Sequence, residues 1–87
     1  MRVDKFLKVA RLIKRRSVAK EIADQGRVDI NGKVAKSSSV VKTGDELTIR
    51  FGNKTMKIRI ERILETTKKD ESTELYTILD ETYPQAD

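Results

Sequence analysis

IKRRSVAKEIADQGRVDING, residues 13–32, decides the fold of this chain. A basic cluster precedes a segment with helical spacing, Gly26 closes that segment, and Asn31-Gly32 follows shortly after. Val18, Ala19, Ile22 and Ala23 recur at the spacing of one helix face. Ser17 is the expected N-cap and Gly26 the expected left-handed exit. The capping box is incomplete, because position 20 is Lys and Glu21 falls one residue late. Beyond Gly26 the period changes to two: Val28 and Ile30, then Asn31-Gly32, then Val34 spell a hairpin. Its two-residue turn needs the positive φ values that Asn-Gly tolerates.

Working outward toward the N-terminus, Val3, Phe6, Leu7, Ala10 and Ile13 form a second apolar helical stripe, broken near residues 14–16. The opposite face is expected to carry Asp4, Lys8, Arg11 and Arg15. Toward the C-terminus, KSSSVVKTGDE (36–46) is expected to be a loop with a turn at Thr43-Gly44-Asp45. Leu47, Ile49 and Phe51 then alternate with polar residues, Gly52-Asn53 marks a turn, and Met56, Ile58 and Ile60 alternate again. ETTKKDEST (65–73) is a polar excursion with room for one helical turn, and ELYTILDE (74–81) is a last strand. The predicted fold is α+β: two short helices packed on a small, mainly antiparallel sheet. The expected organisation is a single domain over 1–87, with a frayed tail at 83–87.

Composition removes most chemistry. The chain has 87 residues, 37% of them hydrophobic, with Phe6, Phe51, Tyr76 and Tyr83 as the aromatic residues. It contains no His and no Cys. There is therefore no imidazole base, no thiolate and no zinc site of the usual nitrogen or sulfur kind. The carboxylates fall in no recognisable catalytic or magnesium-binding pattern, so the expectation is a protein that is not an enzyme and uses no cofactor or metal. No apolar run approaches the roughly 20 residues of a membrane span, and MRVDKFLK is not a secretory h-region. The chain is expected to be cytoplasmic, with no membrane partner. No large exposed apolar stripe is evident, so a monomer is expected.

Charge supplies the positive clue. The net charge is +5, but residues 1–20 carry eight Lys or Arg against one acid, a net +7. The remaining 67 residues hold eleven basic and thirteen acidic groups, a net −2. A solvated helix face usually mixes both signs, whereas this concentration of cations suits a polyanion. The start of the second helix adds backbone N–H groups and a positive dipole end, with Arg15, Arg16 and Lys20 crowding the same place. A phosphate is the natural occupant, and Arg27 and Lys36 are expected to extend the patch from the hairpin.

RVDKFL (2–7), RRSVAKEIADQGRVDING (15–32) and VKTGDEL (41–47), in this order, resemble the alpha-L RNA-binding motif. That motif is the domain of bacterial ribosomal small-subunit protein four, of pseudouridine synthases and of tyrosyl-tRNA synthetases. The resemblance covers residues 2–50 and leaves 51–82 as a strand-rich extension. With RLIKRR (11–16) and so short an extension, the chain looks like the stand-alone RqcP family, related to the fifteen-kilodalton heat-shock protein. The family resemblance implies an RNA face of Arg2, Asp4, Lys5, Arg11, Arg15, Arg16, Ser17, Lys20, Arg27 and Lys36. It also implies partners: large-subunit rRNA, peptidyl-tRNA, the stalled large ribosomal subunit and the alanine-tailing quality-control factor RqcH. Val3 stands where the family often has Leu, and Ser37-Ser38 replaces a frequent proline-containing loop.

An acid on such a face asks for a reason. Asp4 is expected to pair with Lys8, to cap the first helix, or to orient a neighbouring Arg. Other functions remain open from the residues alone: a general rRNA-binding or ribosome-assembly protein, or the targeting module of an RNA-modifying enzyme. A winged helix on DNA is the weaker choice, because SVAKEIADQ (17–25) presents Glu21 and Asp24 beside Lys20 and Gln25.

Overall fold

The first stripe folds as helix α1, Val3–Val9, with Val3, Phe6 and Leu7 fully buried. Its start is held without a side-chain cap. The Val3 N–H donates to the Ser39 carbonyl at 2.7 Å and the Asp4 N–H to the Ser37 carbonyl at 3.4 Å. These bonds occupy two donors that a helix start leaves open. The exit is a Schellman turn: the Arg11 N–H reaches the Lys8 carbonyl and the Leu12 N–H the Leu7 carbonyl. Arg11 takes the left-handed position with φ 59°. The turn redirects the chain so that Ile13, beyond the helix, still enters the core.

Helix α2 runs Arg16–Asp24. Ser17 is not its cap but its second residue. Arg15 holds the extended cap position, its carbonyl accepting the Val18 and Ala19 N–H groups at 3.1 Å each. Ala19 and Ala23 are buried and Ile22 is partly covered, but Val18 is 38% exposed, against the inward position expected of it. Val18 and Ile22 share a flank one turn apart, beside the buried stripe of Ala19 and Ala23. Gly26 closes α2 at φ +79°, with bonds from Gly26 to Ala23 and from Arg27 to Ile22 completing a second Schellman turn.

The strands are β1 (Val28–Ile30), β2 (Lys33–Val34), β3 (Glu46–Arg50), β4 (Thr55–Ile60) and β5 (Tyr76–Thr82). They form one antiparallel sheet in the order β2-β1-β3-β4-β5. The β1–β2 turn is type I′, with Asn31 at φ 51° and Gly32 at φ +83°. This two-residue turn sets Lys33 opposite Ile30 and Val34 opposite Asp29, so Val34 lies on the outer face and is exposed. Asn31 also ties the hairpin to the Gly44 turn: its amide donates to Asp45 Oδ1 at 3.0 Å and its side-chain oxygen accepts the Glu46 N–H at 2.9 Å. Leu47, Ile49, Met56, Ile58 and Ile60 line the inner face and meet α1 and α2. Among the described residues a 3-10 turn, Ser72–Glu74, ends the polar excursion and takes the first residue expected of the last strand, and a bulge between Lys57 and Ile58 leaves Leu79 unpaired in β5. The computed structural model describes residues 1–65, 67–68 and 71–83. Most of the expected frayed tail, 84–87, lies outside the described residues, as do three positions of the 65–73 excursion.

Candidate nucleic-acid interface

The acid in the N-terminal charge cluster is the organising element. Asp4 was expected on the solvent face of α1, yet its side chain is only 3% exposed. Its Oδ1 accepts the Lys5 backbone N–H at 2.8 Å and lies 3.3 Å from Arg2 Nε and 3.4 Å from Arg16 Nη2. Asp4 does not pair with Lys8; its carboxylate both accepts a first-turn N–H of α1, that of Lys5, and contacts Arg2 and Arg16. A carboxylate this buried needs such partners, since desolvating a lone charge costs several kcal/mol. Arg2 and Arg16 keep 45% and 46% of their side chains in solvent, so each guanidinium has donors left for a ligand.

Arg16 opens α2, and no side chain caps the N–H groups of that first turn. Arg15 and Ser17 flank it and are exposed. Arg2, Asp4, Arg15, Arg16 and Ser17 therefore come together in one place. The other expected residues are distributed around them. Lys5 pairs with Glu65, whose carboxyl that ammonium holds below its ordinary range. Arg11 donates to the Thr67 carbonyl at 3.1 Å, and Lys20 pairs with Asp24 one turn on at 3.3 Å. Lys8 is exposed and has no acidic partner among the described residues.

Arg27 and Lys36 belong to the far end of α2, about 12 Å of helix away from Arg16. There Asp24 Oδ1 accepts the Ser37 backbone N–H at 2.9 Å. That bond, then the Ser37 side chain, keep the Asp24 carboxyl below its ordinary value. Ser37 is buried and joins both helices through its N–H to Asp24 and its carbonyl to the start of α1. Sequence reasoning missed that role, because a serine in a polar loop carries no periodic signal. Lys14 was also left out of the candidate residues, although it lines a groove with Lys8, Arg11 and Ile13. The i, i+3, i+6 spacing of Lys8, Arg11 and Lys14 was its available signal.

The sheet side is electrostatically different. Arg50 pairs with Asp29 at 2.8 Å, Lys57 with Glu46 at 3.2 Å, Arg59 with Glu61 at 2.7 Å and Lys54 with Glu81 at 3.1 Å. On the helical side Arg2 and Arg16 share a single acid, while Lys8, Lys14 and Arg15 have none among the described residues. Unneutralised positive charge is thus left along α1 and the start of α2. No helix among the described residues is long and apolar enough to cross a membrane.

Residues 1–47 match the model of the S4 domain. The chain is 62% identical over 81 residues to the RQC P-site tRNA stabilizing factor of Bacillus subtilis, covering 93% of this chain and 94% of that protein. It is 50% identical over 82 residues to the protein of the same name in Streptococcus pneumoniae, covering 94% and 93% of the two chains. Among solved structures it is similar to the trimeric heat shock protein 15 of Vibrio cholerae, with a TM-score of 0.84, 37% identity and coverage of 90% of this chain and 80% of that one. On this evidence of sequence and fold together, the chain belongs to the S4-domain family, in the group whose members are named RQC P-site tRNA stabilizing factor.

Proposed function

We propose that this chain is a non-catalytic RNA-binding factor of ribosome-associated quality control. It holds rRNA and peptidyl-tRNA together on an obstructed large ribosomal subunit. The observation that carries this reading is the Arg2–Asp4–Arg16 cluster at the uncapped start of α2. Two guanidinium groups anchored from behind by one buried carboxylate form a rigid receptor for a backbone phosphate. Because such contacts position RNA without reading its bases, specificity comes from the shape of a composite RNA surface. The names of the relatives point to that surface as the P-site tRNA. Arg2, Asp4, Lys5, Lys8, Arg11, Arg15, Arg16, Ser17, Lys20, Arg27 and Lys36 are the residues assigned to the interface, Asp4 acting through its arginines.

In this reading the factor works in the cytoplasm beside RqcH, steadying the tRNA while alanine is added to the stalled chain. It acts as a monomer, unlike the trimeric relative from Vibrio cholerae; sedimentation at working concentration decides between one copy and three. Arg16→Ala tests the central assignment. It should weaken binding to RNA of any sequence and reduce the salt slope by about 0.7–0.9, with a modest loss of melting temperature, because Asp4 loses one partner and keeps Arg2 and the Lys5 N–H. Unaltered affinity for the large subunit at physiological salt would remove Arg16 from the interface.

A further inference from the structure

Asp4 and Glu65 both hold cations near the start of α1, but from opposite sides. Asp4 is buried beneath two half-exposed arginines. Glu65 reverses this order: its side chain is 79% exposed and that of Lys5 only 34%, so the carboxylate lies on the solvent side of the ammonium it pairs with. An acid beneath a cation aligns it toward solvent. An acid outside it stands where an incoming anion has to bind.

The position of Glu65 does not depend on Lys5. Ile63 and Leu64 precede it and pack against the core. Beyond it, the Thr67 hydroxyl donates to the Val9 carbonyl at 2.6 Å, and the Thr67 carbonyl accepts the Arg11 guanidinium at 3.1 Å. These anchors on either side bring the carboxylate over Lys5, while an exposed ion pair itself adds little to stability. A groove of about 230 Å³, bounded by Glu65, Thr67, Lys8, Val9 and Arg11, leaves the carboxylate room to swing away. Lys5 meanwhile adjoins the arginine cluster, since its backbone N–H donates to Asp4.

We propose that Glu65 is a displaceable cover on Lys5: in the free protein its carboxylate takes the place of an RNA backbone phosphate, which must exchange with it before Lys5 engages. Carboxylate and phosphate oxygens accept from the same ammonium donors, so the exchange leaves no donor unpaired. The cover regulates the interface assigned above and rests on that RNA-binding reading. It keeps affinity below what the cations alone would give.

The test uses the full chain and large ribosomal subunits carrying peptidyl-tRNA, with affinity read by co-sedimentation and folding by thermal melting. Glu65→Gln should bind about two- to five-fold more tightly, the range set by an exposed ion pair, with the fold intact. Removing any acid raises the net charge, so Glu46→Gln, which frees Lys57 on the sheet, is the control and should bind as the wild type does. Lys5→Gln should bind more weakly, and Glu65→Gln added to it should bring no gain. Unchanged or weaker binding by Glu65→Gln would overturn the cover, as would an equal gain from Glu46→Gln or in the Lys5→Gln background. Arg16→Ala still impaired in the same assay would then preserve the RNA-binding reading. Particles that the wild type does not bind would overturn both.

Discussion

Asp4 and Arg16 meet across the helix junction, Oδ1 to Nη2 at 3.4 Å, although twelve positions separate them in the chain. The carboxylate is buried and the guanidinium half exposed, so in the proposed interface the acid acts from behind. This arrangement makes an unusual prediction about charge. Asp4→Asn raises the net positive charge by one, yet it should weaken RNA binding, because Arg2 and Arg16 lose the anion that aligns them. The same change should cost about 1–2 kcal/mol of stability, the scale for disturbing a hydrogen-bonded, partly screened ion pair. Anisotropy and thermal melting read both effects. Tighter binding by the variant would mean that Asp4 merely repels RNA.

Gly32→Val should lower the melting temperature by roughly 4–8 °C for each kcal/mol lost. A Cβ at this position meets nothing within 4 Å, so the penalty arises from φ +83° and not from a clash. A β-branched residue resists that backbone region strongly. Gly32→Ala should therefore show the same direction with a smaller drop. Equal melting of both variants and the wild type would show that the turn relaxes out of type I′.

The Asp24–Ser37 bond predicts an acid-sensitive junction. Asp24 is held below its ordinary value of 3.8, first by the Ser37 backbone N–H and then by the Ser37 side chain; burial opposes the shift and Lys20 adds to it. A carboxyl lowered in the folded state stabilises the fold above its unfolded pKa, and that contribution is lost as pH falls through the folded value. Melting temperature should therefore fall below about pH 4, and Asp24→Asn should show a shallower acid slope with lower stability at pH 7. Coincident acid slopes would sink the idea.

At the ribosome, the wild type should occupy large subunits carrying peptidyl-tRNA in preference to empty ones, and should leave the RNA chemically unchanged. Co-sedimentation with the two kinds of particle measures the preference. Equal occupancy would leave a general ribosome-binding protein, and cleaved or modified RNA would point to an enzyme.

The local chemistry of the chain was sufficient for much of this architecture. The stripe Val3, Phe6, Leu7, Ala10 and Ile13 is buried as its spacing requires, and Gly26 and Asn31-Gly32 take the positive φ values for which those residues are suited. Helical periodicity and turn conformation are set by neighbours a few residues apart, so sequence alone determines them. The lopsided charge was likewise legible, because it depends on composition along the chain.

Tertiary structure alone decided which charges are free. Asp4 disappears beneath Arg2 and Arg16, Lys5 finds Glu65 sixty positions away, and Arg11 takes the Thr67 carbonyl. Ser17 yields the cap position to Arg15, and Val18 stays outside because the buried stripe of α2 is Ala19 and Ala23. Each outcome depends on segments that become neighbours only when α1 and α2 settle on the sheet. Burial and Coulomb energy act through space, and no periodic pattern along the chain encodes the distances on which they depend.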